Sequence, residues 1–183
     1  MEKNVKYVMQ GGMWKAMQKI SVEPMSRNSI RELAKSFRNL FGLEETLKFP
    51  VPQVIEWGLP ALGLDYEYVS VSEMGDAYGV TNTREGIMQI REDVYERAVK
   101  GNPRDRFTLC HELGHFLMHS PERVNFARGN VPAYMDPEWQ ANVFAGELMA
   151  PYDLVKNMTP IEIADKCGMS MMAAQVQYSN YQK

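Results

Sequence analysis

At 183 residues, 45% apolar and 23% charged, the chain has the size and composition of one globular domain, or one with a small appendage, and enough apolar content to bury a core. A net charge of −3 provides no electrostatic footprint for nucleic acid or an anionic membrane. No apolar run approaches the ~20 residues of a membrane span, the first twenty residues lack the continuous apolar core of a secretory signal, and two cysteines are too few for a disulfide framework. The expectation is a cytoplasmic protein in a reducing compartment, with no membrane and no direct nucleic-acid partner.

The first 25 or so residues show no clear period and are interrupted by Gly11-Gly12, so a loose segment is expected there. Asn28 or Ser29 then caps a helix carrying Ile30, Leu33, Phe37, Leu40 and Phe41 at helical spacing, stopped by Gly42. Phe49-Pro50-Val51-Pro52 is extended, Pro52 to Trp57 has room for a short helix, and Leu59 to Gly63 is rich in turn residues. Residues 1–60 are accordingly expected as an N-terminal helical segment leading into a main domain over 61–183. Tyr66 to Ser72 alternates and is β-branched or aromatic at most positions, Tyr78 to Asn82 reads as a second short strand, and Gly86 to Arg91 as a third with Met88 and Ile90 on one face, after a turn at Thr83 to Gly86. They predict a small antiparallel sheet. The last of these strands, GIMQIR, is either an ordinary core strand or an edge open to an extended peptide. Glu92 to Lys100 is a short helical run.

The chemistry begins at Asn102-Pro103, an N-cap followed by proline at the first helical position. From Arg104 to His119 the only breaker is Gly114, and Ser120-Pro121 closes the run. All three histidines of the chain, His111, His115 and His119, lie on this helix. His111-Glu112-Leu113-Gly114-His115 has the form H-E-x-x-H. At about 3.6 residues per turn the two histidines stand roughly 40° apart and can reach one metal ion, while Glu112 points about 100° away, toward a water beside that ion. The pattern is that of a Zn²⁺ peptidase site with Glu112 as general base, although these donors also accept Mn²⁺ or Fe²⁺. Cys110 points off this face and reads as core filler.

A catalytic zinc needs a third protein ligand. His119 would stand roughly 80° from His111 and leave three donors strung along one helix, so it is read instead as a histidine at a helix C-terminus. A second helix follows, with Asp136 as N-cap, Pro137 next, and Glu138 to Ala150 ending at Pro151. Its two carboxylates, Glu138 and Glu147, are nine residues apart and point about 180° from each other, so only one can face the metal. Glu138, with Asn142 one turn along and Ala145 beyond, is favoured; Glu147 is the other candidate. Glu138 can alternatively be an acidic residue complementing the helix N-terminus. Asn142 can hydrogen-bond the outer nitrogen of a ligand histidine. Tyr134 and Tyr152 are candidate donors to an oxyanion.

Two blocks carry a family resemblance. Arg106 to His119 resembles the RFTLAHELGHxxLH stretch of the ImmA/IrrE metallopeptidases, with Cys110 in place of alanine. Glu138 to Pro151 resembles that family's ExxANxFAxELLMP stretch, with Ala150 standing before the proline. Specific likeness covers about residues 80 to 151. The resemblance implies an α+β, zincin-like metalloprotease domain, in which the sheet packs on the H-E-x-x-H helix and on a second ligand-bearing helix, and it implies Glu138 as third ligand. Several family members cleave or act on helix-turn-helix repressors that control prophage, mobile-element or stress genes, and others stand beside toxin–antitoxin or phage-defence genes. A repressor or antitoxin is therefore the implied protein substrate.

Two other functions compete. A non-catalytic zinc-binding module can hold a repressor or toxin–antitoxin partner without cutting it; the presence of Glu112 argues against this. Thr159 to Tyr178 has a faint helix-turn-helix rhythm around Gly168-Met169-Ser170, yet no Lys or Arg follows Ser170 up to Tyr181. Phosphate contacts need cations, so the stretch is read as a helical C-terminal cap.

Overall fold

The computed structural model describes residues 7–10, 13–16, 19–82, 85–119, 125–127 and 131–182. It is an α+β structure. The N-terminal region contains strands: β1 (Tyr7–Gln10) pairs antiparallel with β2 (Met13–Ala16), and β3 (Lys19–Ser21) pairs antiparallel with β7 (Asn125–Ala127). The expectation of a loose start to a helical segment is corrected by the strands described there. Gly11-Gly12, which suggested looseness, lies between the strands of β1–β2 and outside the described residues.

Helix α1 (Arg27–Leu40) begins two to three residues earlier than read from the sequence. Ser26 is the cap, its Oγ accepting from the Ser29 backbone N–H at 3.0 Å, so Asn28 and Ser29 fall within the first turn. Gly42 follows the helix with φ of 66°, a conformation that glycine adopts without a Cβ penalty. The chain then crosses the core through α2 (Val51–Gln53), a π-helical turn (Val54–Gly58) and α3 (Leu59–Ala61). Phe49, Val51, Ile55 and Leu59 are fully buried along it.

The sheet comprises β4 (Asp65–Val69), β5 (Gly79–Asn82) and β6 (Ile87–Arg91), in the spatial order β4-β6-β5. It is mixed rather than antiparallel, because β4 runs parallel to β6 and β5 antiparallel to it. The cause lies between β4 and β5. The expected strand over 66–72 stops at Val69, where Ser70 and Glu73 form a reciprocal capping box on the one-turn helix α4 (Val71–Met74). That turn, followed by Gly75 at φ of 58°, carries the chain past β6 so that β5 lands on its far side. GIMQIR is therefore the interior strand, with Met88 and Ile90 fully buried, and β4 and β5 are the edges.

After α5 (Glu92–Val99) comes α6 (Pro103–Met118), capped by Asn102 Oδ1, which accepts from the N–H groups of Arg104 (3.0 Å) and Asp105 (3.3 Å). Helix α6 packs against β5, β6 and α5, and most extensively against α7 (Pro137–Met149). Asp136 caps α7 as expected, its Oδ1 accepting from Glu138 N–H at 2.9 Å. Gly114 makes the α6–α7 approach possible: a Cβ there would lie 3.1 Å from the Ala141 Cα and 3.2 Å from Phe144 Cδ1. On its other side α7 packs on α1. The chain ends in α8 (Tyr152–Val155), α9 (Pro160–Cys167) and α10 (Met171–Tyr181). Gly168, left-handed, turns α9 into α10, which packs on α9 and α7 as a C-terminal cap. Among the described residues no helix is long and apolar enough to cross a membrane.

Candidate metal centre

Two helices position the site. Helix α6 presents His111 and His115 on one face, their rings edge-to-face with centroids 4.6 Å apart. Helix α7 brings its first turn alongside. His111 Nε2 lies 2.9 Å from His115 Nε2, and the Glu138 carboxylate reaches both: Oε2 is 3.3 Å from His111 Nε2 and Oε1 is 3.3 Å from His115 Nε2. One donor atom from each of His111, His115 and Glu138 falls within 4.8 Å of the others. Asn142, one turn beyond Glu138, places Oδ1 3.1 Å from His111 Nδ1.

The chemistry of this donor set fits a divalent cation. When the outer nitrogen of His111 donates to Asn142, its Nε2 is left as a lone pair. That lone pair faces a second imidazole nitrogen and a carboxylate, an arrangement of electron-rich atoms that a positive charge stabilises. Where no cation is bound, protonated rings take its place: hydrogen bonds from His111 and then His115 then hold the Glu138 carboxyl far below the ordinary carboxylate range. Burial pulls His111 toward neutrality, but its bond to Glu138 and the nearby charges of Glu112 and Glu138 outweigh that and raise its pKa. The side chain of Glu138 is 68% exposed, so the cluster is open to solvent on this side.

Glu112 stands apart from the cluster, as its place on the helix predicts, and is nearly buried beneath β5. Thr81 Oγ–H reaches its Oε2 at 2.9 Å. Gly79 leaves the space its side chain needs, since a Cβ there would come within 2.6 Å of Glu112 Cγ. Neither β5 residue was identified from the sequence.

Glu147, the other candidate third ligand, is committed elsewhere. It is buried, with Arg31 Nε at 3.1 Å and the Tyr181 hydroxyl at 3.0 Å. Tyr152 belongs to the same cluster, with Arg31 4.7 Å over its ring, and so lies with Glu147 rather than with the histidines. Tyr134 is half exposed. Cys110 is fully buried and its thiol is pushed up to about 12 by desolvation, which suits core packing. His119 is buried too; its Nδ1 is 3.0 Å from His115 Nδ1 and its Nε2 is 3.0 Å from Gln140 Oε1. Burial lowers its pKa to about 4, so the ring is neutral. Beside Asn142 opens a groove of about 680 Å³ lined by Phe107, Trp139, Met172, Val176 and Arg27.

Comparison with known proteins places the chain in a family. The model of Peptidase_M78, the IrrE N-terminal-like domain, matches residues 70–179, more than half of the chain. The chain belongs to that family, whose domain is of metallopeptidase type, and this agrees with the resemblance carried by the two helix motifs. No curated protein matches the chain.

Proposed function

We propose that this chain is a zinc-dependent endopeptidase with a zincin-like active site. The observation that carries the reading is the convergence of His111 Nε2, His115 Nε2 and the Glu138 carboxylate, with Glu112 held separately next to them. The three converging residues would hold the metal. Zinc bound there supplies a Lewis acid that polarises a carbonyl and lowers the pKa of water. Glu112 is the general base: with Oε2 engaged by Thr81, Oε1 takes a proton from the attacking water and returns it to the departing amine. The edge strand β5 above Glu112 offers backbone groups to an extended substrate, and the groove beside Asn142 gives room for apolar side chains. By family likeness the substrate is a helix-turn-helix repressor or an antitoxin, and cleavage would relieve its control of prophage, mobile-element or stress genes.

The test joins metal content to hydrolysis. Wild-type protein is expected to carry about one zinc per chain, with Glu138→Ala losing it. Glu112→Gln should keep zinc and lose cleavage of a repressor-derived peptide library. No zinc in wild type after metal addition would sink the proposal. Full activity in Glu112→Gln would instead favour a binding module that does not cut.

A further inference from the structure

The outer nitrogen of His115 is held by a chain of side chains whose polarity can be read from its far end. His119, 5% exposed, places Nδ1 3.0 Å from His115 Nδ1 and Nε2 3.0 Å from Gln140 Oε1. Gln140 is buried as well, and its Nε2 lies 2.8 Å from the carbonyl oxygen of Glu23 and 2.8 Å from that of Tyr134. Carbonyl oxygens can only accept, so the Gln140 amide must direct its NH₂ toward them and its Oε1 toward His119. His119 Nε2 then carries the proton that Oε1 accepts. A neutral imidazole has one proton, so His119 Nδ1 is left as an acceptor. The bond between the two rings has one remaining solution: His115 donates from Nδ1. Its Nε2 is thereby a bare lone pair, aimed at Glu138 and at Nε2 of His111.

We infer that His119 and Gln140 are positioning residues that lock His115 in the tautomer able to bind a metal, with the direction of the lock imposed by two backbone carbonyls. The inference rests on reading His111, His115 and Glu138 as the metal site. It concerns the placement of one proton among neutral rings and needs no change of charge. The anchor is built from parts distant in sequence. Glu23 precedes α1, and Tyr134 lies in the one-turn 3₁₀ helix Ala133–Met135. The two segments are fastened together by backbone bonds from Val22 N–H to Met135 O (3.0 Å) and from Met25 N–H to Tyr134 O (2.9 Å). The N-terminal segment therefore reaches the metal site through Gln140, although it lies outside the span matched by the family model. Ordering an outer-sphere partner in advance spares a ligand histidine the cost of choosing its tautomer as metal arrives; loss of such partners typically weakens metal affinity about 10- to 100-fold.

The deciding measurement is a long-range ¹H–¹⁵N spectrum of the imidazoles in zinc-free protein, at a pH where the histidines are neutral. The expected result is a proton on Nδ1 of His115 and on Nε2 of His119. His119→Phe keeps an aromatic ring but removes the acceptor; His115 should then shift toward the Nε2–H form, and zinc affinity, read by chelator competition, should fall about 10- to 100-fold. His119→Gln restores an acceptor and should recover most of that loss. A wild-type spectrum with the proton on Nε2 of His115 would overturn the inference, and so would a His119→Phe protein that binds zinc as tightly as wild type. Should His119→Phe fail to fold, the wild-type spectrum decides alone. A wild-type protein that shows the expected tautomer and takes up no zinc would sink the metal-site reading instead, because the tautomer is read without metal.

Discussion

Thr81 and Glu112 are joined across an element boundary: the hydroxyl belongs to the edge strand β5, the carboxylate to helix α6, and Oγ lies 2.9 Å from Oε2. The bond engages Oε2 rather than Oε1 and so sets which way the carboxylate faces. Thr81→Val keeps the shape of the side chain and removes the donor. A hydrogen bond to a charged group contributes roughly 1.5–3 kcal/mol, and about 1.4 kcal/mol is tenfold in rate. Peptide turnover in Thr81→Val should therefore fall about tenfold or more with zinc content unchanged, and Thr81→Ser should restore most of it. Equal turnover in Val and Ser variants would show that the strand does not orient the base.

Gly114, inside the H-E-x-x-H motif, tests how closely α7 must approach. On an isolated helix, Gly→Ala gains about 1 kcal/mol. Here the added Cβ would meet the Ala141 Cα at 3.1 Å and Phe144 Cδ1 at 3.2 Å, and the nearest of these is backbone. Overpacking of this kind costs about 1–3 kcal/mol, so Gly114→Ala should lower the melting temperature. It should also weaken zinc binding, because the helix pushed away is the one that carries Glu138. A more stable variant with unaltered zinc affinity would mean that α7 can slide without disturbing the site.

The site was legible where a single helix encodes it. Asn102-Pro103 and Asp136-Pro137 mark the starts of α6 and α7, and the spacing of His111, Glu112 and His115 follows from helix geometry alone. The helical angle between Glu138 and Glu147 allows only one of them to face the metal, and Asn142 and Ala145 along the Glu138 face favoured that residue; Glu147 is engaged by Arg31 and Tyr181. Longer-range relations were not legible. Local alternation identifies β4, β5 and β6 but not their order, which depends on the path taken after the Ser70–Glu73 capping box. His119 does stand at the helix end, as read, but its bonds to His115 and Gln140, and the anchoring of Gln140 by the carbonyls of Glu23 and Tyr134, were not legible. Backbone acceptors leave no side-chain signature. Thr81 and Gly79 escaped notice for a similar reason: a strand residue acquires its role only when the sheet lies over α6.

The two glutamates of α7 should respond oppositely to truncation. Glu147→Ala removes the partner of Arg31 and of the Tyr181 hydroxyl in a buried setting. Loss of charged hydrogen bonds of this kind costs about 1–3 kcal/mol, so stability should drop while zinc binding persists. Glu138→Ala, at a largely exposed side chain, should lose zinc with little change in the stability of the metal-free protein. Parallel thermal melts and metal titrations of the two variants distinguish the cases; loss of zinc in Glu147→Ala with the fold intact would reassign the third ligand.

Acid should loosen the anchor of α6 through Asp93. Its carboxylate accepts from Arg91 Nε at 2.6 Å and from Arg97 Nη1 at 2.6 Å, and Arg97 continues to Asp105 on α6 with Nε 2.7 Å from Oδ2. The bonds from Arg91 and then Arg97 lower the Asp93 pKa from the ordinary 3.8 to about 2. With the folded pKa depressed, the unfolded chain takes up a proton first as pH falls. The stabilisation is present above pH 3.8 and is lost between there and about 2. Asp93 is partly exposed, so solvent screening limits the effect. Denaturant unfolding across this range should show wild-type stability declining more steeply than that of Asp93→Asn, whose side chain has no proton to gain. Parallel curves for the two proteins would mean that the Arg91–Asp93–Arg97 cluster does not stabilise the folded chain.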